Sequence, residues 1–209
     1  MASRILSVVY NDRESEARTP SQPLVVIPIE ARDPFSAAPI LPAVHRHEAD
    51  LTRIAPGRPL ASGLAIVVRG RVLDEDGRPV RRSLLEVWNA NTYGRYSHTL
   101  DSANNAPLDP YFYGFGRTMT DDDGVYQLRT IKPGAYIARP DIGWWRPPHV
   151  HFSILGGARL VTQMYFPGEA LNKQDFIHMT VPEAERPLTI ATALAEDTFE
   201  FNMRVRSLW

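Results

Sequence analysis

Six histidines stand in this chain of 209 residues, and two of them, His149 and His151, fall in the run Arg146-Pro-Pro-His-Val-His-Phe152. In a β-strand, residues i and i+2 project from the same side. An H-x-H pair on a strand therefore presents two imidazoles to one point, a geometry that suits a metal ion. Pro147 and Pro148 stiffen the approach, because each fixes its own φ and restrains the residue before it. Two hydrogen-bonded histidines on a strand face, with no metal, are the ordinary alternative for the pair taken alone. A second pair, in His45-Arg-His47-Glu48, has similar spacing and an added carboxylate. It lies in an irregular stretch with no strand to set its geometry and reads as structural or surface. His98 and His178 stand alone and default to core or surface roles.

Tyrosine changes the weighing. Tyr96 follows Gly94-Arg95, and Tyr136 follows Gly134-Ala135, thirteen positions before His149. With the strand pair they would make a set of two phenols and two imidazoles, although either tyrosine alone reads more readily as a half-buried sheet residue. A phenol with its ordinary pKa near 10 is a poor ligand for Zn2+ at neutral pH. A hard trivalent cation ionises it readily, because a bound metal is the largest local charge. Phenolate, imidazole and hydroxide together suit Fe(III). The chain has no cysteine, which excludes disulfides, cysteine nucleophiles, iron–sulfur clusters and thiolate zinc sites. Any metal must be held by nitrogen and oxygen. The formal charge of −1 leaves no electrostatic footprint for nucleic acid, and no dinucleotide or phosphate-loop motif is present.

These side chains need a scaffold, and the sequence describes an all-β one. The length suits one larger β domain. Residues 1–63 are rich in Pro, Ala and Ser, with a strand-like stretch only at Leu24-Val-Val-Ile-Pro28, and read as an irregular arm that packs on a domain or a partner subunit. From residue 64 to 209 the pattern predicts a catalytic β-sandwich of mixed topology with a few short helices. Within it, LAIVVRGRVLD, the turn Asp74-Glu-Asp-Gly-Arg-Pro79 and VRRSLLEVWNA predict a hairpin. Asp121-Asp-Asp-Gly124 launches the strand VYQLRTI, HVHFSILGG and RLVTQMYF flank a Gly-Gly turn, and TFEFNMRVR closes the chain with alternation. Helix is expected only in short pieces, such as 171–176 or 182–186. No apolar run approaches the roughly 20 residues of a membrane span, and the N-terminus lacks the apolar core of a secretory signal. A cytoplasmic protein is the expectation.

The segments VVRGRVLDEDGRPV, LLEVWNANTYGRYSH, APLDPYFYGFGRTMTDDDGVYQLRTIKPGAY, WWRPPHVHFSI and LVTQMYFPGE resemble the intradiol ring-cleaving catechol dioxygenases. The likeness runs from about residue 24 to the C-terminus and is strongest to the iron-bearing β subunits of the protocatechuate-cleaving branch. It implies Fe(III) held by Tyr96, Tyr136, His149, His151 and a hydroxide. It also implies Arg146 beside the substrate, with Gln163 and Tyr165 in the pocket. Catalytic roles fall to Tyr136, Arg146 and Gln163, and Tyr10, reached with an insertion, aligns with a tyrosine that helps to hold the substrate carboxylate. Ala138 stands where those β subunits usually carry a pocket Trp, and the loop between Tyr96 and Pro107 is one residue longer.

The activity implied is cleavage of a catechol by O2, with protocatechuate yielding 3-carboxy-cis,cis-muconate as the leading case. Catechol, hydroxyquinol or 4-sulfocatechol are the alternatives. An α-type partner within a larger oligomer is implied, or else a homo-oligomer, with no nucleic-acid or membrane partner. Three rivals remain: a metal-free β-sandwich binding module, an iron-free α subunit, which lacks the full ligand set, and a catechol or hydroxyquinol 1,2-dioxygenase, whose helical N-terminal region has no counterpart in residues 1–63.

Overall fold

The computed structural model describes residues 8–9, 46–155 and 159–205. Their strands, in chain order, are β1 (Val8–Val9), β2 (Ala65–Leu73), β3 (Leu84–Trp88), β4 (Phe115–Met119), β5 (Val125–Ile131) and β6 (Tyr136–Arg139). They continue as β7 (Trp144–Arg146), β8 (His149–Leu155), β9 (Arg159–Tyr165), β10 (Thr192–Ala195), β11 (Thr198–Glu200) and β12 (Met203–Arg204). Among the described residues, helix is confined to one α-turn, α1 (Phe176–Met179), and short 3₁₀ pieces such as Ala170–Lys173 and Arg186–Thr189. None among the described residues is long and apolar enough to cross a membrane.

The strands form a sandwich. One sheet has the order β1-β12-β2-β11-β10, with β5 joined to β2, and the other has the order β4-β3-β8-β9. The first is mixed, since β5 pairs antiparallel with β2 while β11 and β12 pair parallel with it. Period-two alternation makes the core. Ile66, Val68 and Val72 of β2 face Leu85 and Val87 of β3 and Val150, Phe152 and Ile154 of β8, all nearly or fully buried. Burying each such side chain contributes roughly 1.5–3 kcal/mol. Gly70 sits where β2 passes the backbone after β11, and a Cβ there would strike the Phe201 carbonyl.

The hairpin expected of residues 64–90 does not form. The chain reverses at the predicted turn, with Val80 N–H donating to the Val72 carbonyl at 2.9 Å, but β3 then pairs with β4 and β8 in the opposite sheet. The reversal stops after the bridge between Leu73 and Pro79. Arg82, at φ 51°, carries the chain across to the other layer. The hairpin expected of β8 and β9 does form, in continuous antiparallel register from His149 opposite Tyr165 to Leu155 opposite Arg159.

Candidate metal centre and substrate cavity

The site is built on the face of β8 that turns away from the core. Val150, Phe152 and Ile154 point into the sandwich, so His149 and His151 must point out of it, and both are buried there. Cross-strand register supplies their neighbours. Trp88 of β3 and Gln163 of β9 flank His151, and Tyr165 lies opposite His149. The Trp88 ring stacks on the His151 imidazole with centroids 4.8 Å apart and planes 7° from parallel.

The hairpin of β6 and β7 carries Tyr136 opposite Arg146, and the loop after β3 carries Tyr96. The glycines that precede the tyrosines explain how both arrive together. At Gly94, with φ +78°, a Cβ would strike the Ala135 carbonyl, and at Gly134 one would strike the Thr92 carbonyl. The two tyrosine-bearing loops pack backbone to backbone, which only glycine permits. Asp101 then holds Tyr96 in place by accepting its backbone N–H at 2.7 Å. Burial pushes the Asp101 carboxyl up, against these hydrogen bonds.

The donor atoms converge. Tyr96 Oη is 3.1 Å from His151 Nε2 and 3.4 Å from His149 Nε2, and the two Nε2 atoms are 3.2 Å apart. His149 Nδ1 lies 2.7 Å from the Pro147 carbonyl oxygen, which can only accept, so Nδ1 carries the proton and Nε2 offers a lone pair. Burial first, then the Arg146 guanidinium and His151, hold His149 well below its ordinary pKa. Tyr136 completes the group, its ring edge-on to Tyr96 at 5.7 Å and 5.8 Å from His149. Nitrogen and oxygen ligands at about 2.0–2.1 Å from a cation stand roughly 3 Å apart. At this spacing Tyr96 Oη, His149 Nε2 and His151 Nε2 can share protons as hydrogen bonds or, once deprotonated, face one cation, so these residues fit a metal ion. Among the described residues no three His, Cys, Asp or Glu cluster so as to hold a metal, at this site or elsewhere, which leaves the phenols indispensable to any such centre.

Beside the donors runs a buried polar network. Arg146, 1% exposed, donates through Nη2 to Gln163 Oε1 at 2.5 Å and through Nη1 to Tyr136 Oη at 3.4 Å. Its other edge meets Asp175, fully buried, from Nε at 3.3 Å and Nη2 at 3.1 Å. Tyr165 Oη lies 3.0 Å from Gln163 Oε1 and 2.9 Å from Asp175 Oδ2. Burial, with the Asp175 charge next, pushes the Tyr165 phenol well above its usual value. A cavity of about 1000 Å3 has Tyr136, Ala138, Arg146, Trp144 and Phe176 in its wall.

The structure thus brings together Tyr96, Tyr136, His149, His151, Arg146, Gln163 and Tyr165, with Ala138 on the cavity wall. Tyr10 and His45 lie outside the described residues. His98 is an exposed cap that accepts the Leu100 N–H. His178 is a buried structural histidine, 2.8 Å from both the Asn172 carbonyl oxygen and Thr189 Oγ1. Sequence reasoning missed Trp88 and Asp175. Trp88 was accessible through strand alternation in LEVW, whereas Asp175 follows no motif and is signalled only as the N-cap of a single helical turn.

A family model described as Dioxygenase matches residues 37–207. The protocatechuate 3,4-dioxygenase beta chain of Burkholderia cepacia is 47% identical over 197 residues, covering 90% of this chain and 81% of that one. This chain belongs to the intradiol ring-cleaving dioxygenases. Within that family, catechol 1,2-dioxygenase 1 of Acinetobacter lwoffii is 34% identical over 164 residues, which cover 68% of this chain and 51% of the relative. The present chain therefore spans about half the length of that relative. The crystal structure of 3-chlorocatechol 1,2-dioxygenase from Rhodococcus opacus 1CP superposes with a TM-score of 0.65 at 25% identity, over 85% of this chain and 71% of the other. Membership makes the chain an intradiol dioxygenase, and it accounts for a polar cluster lodged on the outer face of an otherwise ordinary sandwich.

Proposed function

We propose that this protein is an Fe(III) enzyme that opens protocatechuate to 3-carboxy-cis,cis-muconate with O2. The observation that carries the reading is the convergence of Tyr96 Oη, His149 Nε2 and His151 Nε2 to within 3.1–3.4 Å of one another, with Tyr136 beside them. Tyr96, Tyr136, His149 and His151 would hold the metal, and hard phenolates favour a trivalent ion. Bound there, ferric iron supplies Lewis-acid activation and orientation of a catechol.

The chain's own residues account for the rest. Tyr136 Oη accepts a proton from a catechol hydroxyl, and the Arg146 guanidinium beside it stabilises the negative charge that grows on the ring during oxygen attack. Gln163 accepts from Arg146 Nη2, while Trp88 fixes the His151 ring. Trp144 and Phe176, tilted with centroids 5.2 Å apart, give the cavity an apolar wall for the ring. The identity to a beta chain supports an α-type partner in a larger oligomer, with residues 1–63 as an arm contributing to subunit packing and residues 64–209 as the catalytic domain.

A second reading, cleavage of a differently substituted catechol, rests on Ala138: a small side chain in the cavity wall leaves room beside the ring. O2 uptake with protocatechuate, catechol, hydroxyquinol, 4-sulfocatechol and gallate, with and without a co-expressed α-type chain, separates the two. Marked preference for protocatechuate supports the first, and preference for another catechol supports the second. The iron-loaded protein is expected to be burgundy from tyrosinate-to-iron charge transfer. A colourless protein saturated with zinc would overturn both readings.

A further inference from the structure

Arg146 is held on the side remote from Tyr136 by a residue with no assigned part in the chemistry. The Asp175 carboxylate takes the Nε and Nη2 edge of the guanidinium at 3.3 and 3.1 Å. It also accepts from Tyr165 Oη at 2.9 Å and from Trp144 Nε1 at 3.2 Å. A forked arginine–carboxylate pair fixes the plane of the guanidinium, not merely its distance. With Nε and Nη2 committed to Asp175, and Nη2 shared with Gln163, the Nη1 end is turned to Tyr136 Oη.

Asp175 is also the N-cap of α1, where it accepts the Ile177 N–H. The next two residues, Phe176 and Ile177, line the cavity together with Arg146. One carboxylate thus ties the orientation of the arginine to the placement of the cavity wall. Its desolvation is offset by donors from four residues, as a buried carboxylate requires.

We propose that Asp175 is a positioning residue for ring cleavage: it locks the Arg146 guanidinium so that Nη1 faces Tyr136 Oη and the substrate cavity. This inference rests on the role given to Arg146 above. In Asp175→Asn, an amide accepts at one atom only and turns an NH2 group against the arginine or the tyrosine. The guanidinium then keeps its Nη2 contacts with Gln163 and Tyr165 but loses the two-point fork that sets its plane.

The test compares wild type, Asp175→Asn and Asp175→Glu, with Phe199→Leu as a core control on β11. A positioning role lowers kcat per bound metal roughly 10- to 100-fold in Asp175→Asn, with KM changed by less than about threefold and metal content unchanged. Asp175→Glu, which keeps the charge, recovers part of the loss, and Phe199→Leu lowers Tm without lowering kcat per folded molecule. A crystal structure of Asp175→Asn shows Arg146 Nη1 withdrawn from Tyr136 Oη. Should the amide variant not fold, Asp175→Glu carries the same comparison, its displaced carboxylate shifting the guanidinium and lowering kcat. A kcat per bound metal within about twofold of wild type, or an Arg146 still seated against Tyr136, overturns the proposal. If wild type opens no catechol, the proposed function fails, and the crystallographic result still decides what Asp175 holds in place.

Discussion

Trp88 and His151 lie ring upon ring, 4.8 Å between centroids and 7° from parallel. They are direct partners in the register of β3 and β8. The indole removes rotational freedom from the imidazole that would carry one of the ligand nitrogens, so it would act on a bound metal without touching it. Trp88→Leu keeps an apolar side chain and loses the plate. The expected outcome is a fall in metal affinity of roughly 10- to 100-fold, the usual scale for residues that orient ligands, with His151 still in the sheet. Competition with a chelator of known affinity measures it, and an unchanged affinity would show that the stack only fills space.

The two phenols are expected to separate under mutation. Tyr96 Oη touches both Nε2 atoms, whereas Tyr136 Oη is within reach of Arg146. Tyr136→Phe should retain iron with an altered visible band, and Tyr96→Phe should lose most of its iron. Metal analysis and the absorption spectrum of each purified variant decide the point. A Tyr136→Phe spectrum identical to wild type removes Tyr136 from the ligand set.

Gly134→Ala tests the backbone contact that brings the tyrosines together. Its Cβ would meet the Thr92 carbonyl and the Gly94 nitrogen, neither of which is the end of a flexible side chain. The expected result is loss of iron occupancy, together with a net destabilisation larger than the roughly 0.4–1 kcal/mol by which an unstrained glycine replacement stabilises. Thermal melts and iron content measured on the same preparations check both parts.

Alkaline stability follows from Tyr126, whose phenol is fully buried and donates to the Phe201 carbonyl at 2.5 Å. Burial first, and Glu200 second, push its pKa well above the ordinary value of 10.0. The unfolded chain releases this proton near pH 10 while the folded chain still holds it, so stability is fully present below about pH 10 and falls as pH rises beyond it. Tyr126→Phe should reduce that alkaline slope and, at neutral pH, cost about 1 kcal/mol for the lost hydrogen bond. Urea denaturation at pH 7, 9 and 10.5 provides the comparison.

Much of the site was legible because it depends on local rules. Alternation in HVHFSI puts apolar residues on one face of β8 and both imidazoles on the other, whichever strands lie beside it. The glycines before Tyr96 and Tyr136 were visible too, but not their reason, which is the contact between two loops about forty positions apart in sequence. The Arg146–Asp175 pair, separated by 29 positions, left no local trace, since a buried carboxylate and a surface one are written with the same letter.

The sequence by itself determined the all-β character, the turn positions and the absence of thiol chemistry, and it offered the phenols and imidazoles as candidates for a hard cation. These follow from side-chain period, glycine and proline geometry, and donor chemistry, none of which needs a long-range contact. Only the tertiary structure decided that β3 leaves the turn at residues 74–79 for the opposite sheet, because turn chemistry dictates reversal and says nothing about which layer receives the returning strand. It also decided that Trp88 and Asp175 lie around the donors and Arg146, because register and packing across layers, rather than propensity, set which buried groups meet.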